Sequence, residues 1–185
     1  TVEFYKNLPA YGYKLIILRV HSALAFDDQG QALGFVDLFS SEPYSTTKYV
    51  YEQLTDQVSK AMYRNGGQAY FGISSPFITR SMRGRFSNTL IIMMGCNGMT
   101  YTSLAQAFIE KGAKVYIGWS DSVSASHTDS ATTHLLQHLL TEKLTLKQAL
   151  QETFKEVGFD PIEKSLLLYY PLEVGDQTID NIAGN

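Results

Sequence analysis

The chain has 185 residues, with 15 lysines and arginines against 18 aspartates and glutamates. That balance leaves no cationic excess to neutralise a phosphate backbone, which argues against nucleic acid as a partner. The length suits one domain with a substantial core, and no apolar run reaches the roughly 18–20 residues of a membrane span.

In chain order, the first strong element is the apolar run Tyr13–Val20, a strand that ends on His21. The segment from Leu24 to Phe39, with the polar turn Asp27-Asp28-Gln29-Gly30, reads as a hairpin. Val50, Leu54, Val58 and Met62 recur every four residues, which predicts an amphipathic helix over 46–63 stopped by Asn65-Gly66-Gly67. A short strand over 69–73 follows, and Ser75-Pro76-Phe77 opens a brief helix.

The second half alternates. A strand over 89–95 leads to Cys96, then a helix over 100–111 ends at Gly112, and a strand runs over 113–119. Helices are predicted over 129–140 and 146–157, the second capped by Thr145 and closed by Gly158. Leu166–Tyr170 is a last strand, and the tail after Pro171 reads as loose. Strands separated by helices of ten or more residues imply parallel pairing. The predicted class is α/β, a layered and mostly parallel sheet with helices on both faces.

Two strand ends carry the chemistry. If the strands before His21 and Cys96 lie parallel, an imidazole and a thiol meet at the carboxyl edge of the sheet, where open α/β sheets place their ligand sites. A thiol near its reference pKa of about 8.5 is mostly protonated at neutral pH, and an adjacent histidine converts it to the nucleophilic thiolate. Glycines beside the cysteine let the backbone turn sharply and aim amide hydrogens at a developing oxyanion. The competing roles are a buried small hydrophobe for Cys96 and a structural hydrogen-bonder for His21. A lone cysteine also excludes an internal disulfide and a thiolate zinc cluster.

Three stretches in order resemble the caspase-like cysteine peptidases, the superfamily of caspases, gingipains, clostripain and separase. They are His21 with its following hairpin, Met94-Gly95-Cys96-Asn97-Gly98, and Lys111–Trp119 with Asp129 and the helix beyond. Together they cover about a third of the chain. The resemblance implies a caspase-like fold and a cysteine endopeptidase that cleaves a peptide or protein substrate through a thioester, without metal or cofactor. It makes Cys96 the nucleophile and His21 the acid and base of a dyad, with backbone at Ser22, Gly95 and Asn97 around the oxyanion. Ser22 departs from the glycine that usually follows this histidine, yet still offers an amide.

Selectivity in that family sits beside the strand after the nucleophile, which points to Trp119, Asp121 and Asp129. An acidic pocket there favours a basic residue before the cleaved bond. Helix capping and loop hydrogen bonding are the competing roles for both aspartates. The alternative function is a catalytically silent caspase-like domain used in binding or assembly. The resemblance also implies strands preceding the one that ends on His21, so an amino-terminal segment or a second chain is expected to complete the sheet. His134 and His138 stand four apart on a predicted helix, a spacing able to bind metal. Without a glutamate between them they read as solvent-facing.

Overall fold

The computed structural model describes residues 1–27, 29–63 and 66–184. Among them run eight strands: β1 (Leu15–Leu18), β2 (Ser22–Phe26), β3 (Ala32–Pro43), β4 (Val58–Ala61), β5 (Tyr70–Ile73), β6 (Leu90–Met93), β7 (Val115–Trp119) and β8 (Leu167–Tyr170). Seven α-helices accompany them: α1 (Val2–Asn7), α2 (Val50–Leu54), α3 (Ser75–Arg80), α4 (Ser103–Glu110), α5 (Ala125–Leu136), α6 (Leu146–Val157) and α7 (Ile179–Ala183).

The strands form two sheets. One is mixed, in the order β1-β6-β7-β8, with β1, β6 and β7 parallel and β8 antiparallel to β7. The fold is therefore α/β, a mixed sheet of mostly parallel strands flanked by helices. Side chains alternate across this sheet. Ile16, Leu18, Ile91, Met93 and Tyr116 pack against α3, α4 and the amino-terminal helix. Leu90, Ile92, Val115 and Ile117 pack on the other face against α5, α6 and α7. The near-continuous apolar sequence of β6 follows from this two-sided burial: all four of its residues are buried. Among the described residues strand β1 pairs with β6 alone and forms one edge of the sheet, where Ile17 is 41% exposed.

The second sheet is antiparallel, in the order β2-β3-β5-β4. Its first two strands are the hairpin expected after His21; of the expected turn, Asp28 lies outside the described residues. The helix expected over 46–63 is replaced by the short α2 and by β4. Of its four periodic residues only Val58 is buried, while Val50, Leu54 and Met62 are exposed. Asp56 takes a left-handed φ of 55°, and Val58–Ala61 then pairs with β5. Of the expected stop signal, Asn65 lies outside the described residues.

Two further expectations change. The helix predicted over 129–140 begins earlier, at Ala125, and continues past Leu136 as a π-helical turn over Gln137–Thr141. The tail is not loose: Thr178 bridges to Thr145, and Ile179 and Ile182 of α7 are buried against the sheet. Thr145 does cap α6, in a reciprocal capping box with Gln148. No helix among the described residues is long and apolar enough to cross a membrane.

Within the second sheet, the Asp37 Oδ2 atom lies 2.5 Å from the Ser59 hydroxyl, across Gly72 of β5. A Cβ at Gly72 would lie 2.4 Å from the Ser59 Oγ, so glycine makes room for this pair. Asp37 Oδ1 is buried without a partner among the described residues. Burial raises the Asp37 pKa, and the Ser59 hydrogen bond offsets only part of that rise. A carboxyl group held above its unfolded value contributes stability that is complete in acid and declines as pH rises through the folded value. Asp37→Asn removes the ionisation, and is expected to stabilise the protein by about 1–2 kcal/mol at neutral pH with no gain in acid. Denaturant unfolding of both proteins at pH 3.5 and pH 8 checks this; an equal effect at both would refute it.

Candidate active site

The register of the mixed sheet brings the two strand ends together. Leu18 of β1 pairs with Met93 of β6, and the Met94 amide donates to the Leu18 carbonyl at 3.0 Å. His21 and Cys96 each lie three residues beyond that last pair. Both line one cavity of about 300 Å³ at the carboxyl edge, with Arg19, Val20, Gly95, Val123 and Thr128 among its walls.

The turn into Cys96 has little freedom. A Cβ at Gly95 would lie 2.3 Å from the Val20 carbonyl oxygen and 2.6 Å from the Ser22 hydroxyl, so only glycine permits this approach of the two strand ends. The Ser22 hydroxyl donates a short hydrogen bond to the Cys96 carbonyl, tying the histidine turn to the cysteine turn. Asn97 adopts a left-handed φ of 59°, a conformation asparagine tolerates. Its amide donates to the Asp121 carbonyl at 2.9 Å. That amide is spent, so Asn97 shapes the turn and does not supply an oxyanion donor as expected. Among the described residues no acceptor takes the Cys96 amide.

The thiol and the imidazole are held from opposite sides. The Cys96 Sγ accepts from the Val123 amide at 3.4 Å and lies 3.6 Å from the Val123 carbonyl. His21 is exposed, with Tyr63 edge-on at 5.1 Å between ring centroids and Phe39 at 6.4 Å. The thiol's hydrogen bonds thus go to the 120–124 loop and not to His21.

The three expected selectivity residues divide. Trp119 is only 1% exposed and does not face the cavity. Its indole donates to the Thr128 hydroxyl at 2.9 Å, and that hydroxyl donates to the Met94 carbonyl at 3.0 Å. It is a support that fixes α5 against the end of β6. Asp129 is engaged by Arg19 in a two-pronged pair, both contacts at 2.9 Å. Those hydrogen bonds, aided by the guanidinium charge, hold its carboxyl below the usual range. Its charge is therefore matched by a cation on the cavity wall. Asp121 stays exposed, with its carboxylate on the neighbouring Ser122 amide.

Several contributors escape sequence reasoning. Val123 acts through its backbone, which no residue preference announces. Phe39 reaches His21 from β3 and Tyr63 from just beyond β4, in a second sheet whose strand order the sequence did not reveal. Asp160 is wholly buried and accepts from the Ser124 amide and hydroxyl and from the Ile162 and Glu163 amides. It anchors the loop that carries Val123. The two helical histidines are not both solvent-facing as expected: His138 is 4% exposed.

No model of a known protein family matches the chain, and no curated protein matches it.

Proposed function

We propose that the chain is a cysteine endopeptidase of the caspase-like type, working through Cys96 and His21. The observation that carries this reading is their common cavity, three residues beyond register-paired strand ends. Cys96 as thiolate attacks the scissile carbonyl, and the oxyanion is met by the Cys96 amide together with the amide of the turn at Ser22. His21 takes the thiol proton and delivers it to the leaving amine, giving the thioester. Water, deprotonated by His21, then releases the acid product and restores the thiol. Asp121 is the carboxylate left to favour a basic side chain before the cleaved bond, because Asp129 is paired with Arg19. On this reading the open edge of β1 receives a strand from a preceding segment or a second chain, which would cover the half-exposed Ile17.

A second reading, a silent caspase-like domain used in assembly, draws on the thiol's bonds to Val123. Thiol alkylation separates the two. An activated Cys96 is expected to react with iodoacetamide faster than a free thiol below pH 7, and to lose that advantage in His21→Ala. A panel of fluorogenic peptides differing only before the cleaved bond should then show turnover, highest after Arg or Lys and reduced by Asp121→Asn. Ordinary thiol reactivity with no turnover of any peptide would leave the assembly reading standing.

A further inference from the structure

The end of α5 and the end of α6 bring three metal-ligating side chains to one point, away from the Cys96 cavity. His134 lies in the last turn of α5, His138 in the π-helical turn that follows, and Glu156 in the last turn of α6. His134 Nδ1 lies 2.5 Å, and His138 Nε2 3.1 Å, from the same Oε2 atom of Glu156. The ligand atoms of all three fall within 4.8 Å of one another. We propose that His134, His138 and Glu156 bind one divalent transition-metal ion of the zinc class, which clamps α5 to α6.

The donor set fits that class. Two imidazole nitrogens and one carboxylate oxygen suit zinc and its borderline neighbours, while calcium and magnesium take oxygen ligands. Bonds of about 2.0–2.2 Å in a tetrahedral site place neighbouring ligand atoms roughly 3.3 Å apart. The His138–Glu156 contact is close to that, whereas half-exposed His134 and Glu156 must move apart by roughly 0.8 Å to admit the ion, which their exposure permits.

The outer contacts point the same way. His138 Nδ1 lies 2.9 Å from Glu142 Oε2, and the Gln137 amide nitrogen donates to the other Glu142 oxygen at 3.1 Å. A carboxylate behind a histidine fixes the ring so that its far nitrogen faces the metal, the usual arrangement around ligating histidines. His138 is the buried, oriented ligand; its side chain is only 6% exposed, against 39% for His134 and 43% for Glu156. The fourth position would open to water on the exposed side. π-helical turns inside α-helices frequently mark functional sites, and here that turn carries the buried ligand.

The test is titration of the chelator-stripped full chain with cobalt and zinc chlorides. Cobalt is expected to give the visible absorption of a tetrahedral site at one ion per chain, displaced by zinc, with a rise in melting temperature. Both His134→Ala and Glu156→Gln, at half-exposed positions, should weaken binding at least tenfold, and Glu142→Gln by about 10–100-fold. The same spectrum is expected from Cys96→Ala, which retains the cluster but no thiol. The proposal is overturned by absence of the cobalt spectrum in the wild-type chain. It is also overturned by unchanged affinity in the two ligand variants, or by loss of the spectrum in Cys96→Ala, which would place the ion at the thiol.

Discussion

Cys96→Ala is expected to abolish peptide hydrolysis, and His21→Ala to lower it by about 10²–10⁴-fold, the range a general acid–base contributes. Neither change should alter the fold. Cys96 lies outside β6, and among the described residues its sulfur bonds only to the Val123 backbone, so its removal opens little core volume. His21 is exposed; its ring packs edge-on against the exposed Tyr63 and, at 6.4 Å, against the edge of Phe39, so truncation removes mainly surface contacts. The melting temperature should therefore stay within a degree or two of the wild type while turnover is lost in Cys96→Ala and cut in His21→Ala. The proposed thioester makes a further distinction: Cys96→Ala is expected to remove the acyl-enzyme altogether, and His21→Ala to slow both its formation and its hydrolysis. Mass spectrometry after quenching in acid would detect the adduct in the wild type and not in Cys96→Ala. Full activity in either variant would take the dyad out of the mechanism.

The parts of the site that were legible in the sequence are those that local pattern controls. Leu90–Met93 is buried on both faces, so its apolar run announced a covered strand, and Gly95 announced a turn that a side chain would block. What failed depends on pairing at a distance. Val50 and Leu54 supplied a four-residue period yet face solvent, and the identity of β4 is settled by its ladder with β5. The histidine pair was visible as spacing, but Glu156 belongs to another helix and Glu142 to the turn beyond, so neither their contacts nor the burial of His138 could be read locally. Ile179 and Ile182 in the tail had helical spacing over a single turn, too short to stand out before their burial was known.

Asp160→Ala is expected to cost about 3 kcal/mol of stability, although the residue touches neither Cys96 nor His21. Its carboxylate is wholly buried and meets four donors: the Ser124 amide at 2.9 Å, the Ser124 hydroxyl at 2.7 Å, the Ile162 amide at 2.9 Å and the Glu163 amide at 2.8 Å. Burial alone would raise its pKa. The hydrogen bonds from Glu163, Ser124 and Ile162 outweigh that and hold it well below the usual carboxylate range. A carboxyl group with a depressed folded value contributes stability that is present above its unfolded value and is lost as pH falls through the folded one. The wild type should thus lose stability in acid along a limb that Asp160→Ala lacks, so the two unfolding curves converge at low pH. Asp160→Asn is expected to fall almost as far at neutral pH, because its amide nitrogen would face an N–H donor. The consequence for the site follows from the loop: with Ser124 released, Val123 no longer holds the Cys96 thiol, and alkylation of Cys96 should change in rate at a temperature where the variant is still folded. A denaturant midpoint equal to the wild type at pH 7, or a stability difference that persists undiminished into acid, would show that the buried carboxylate is not the anchor of this loop.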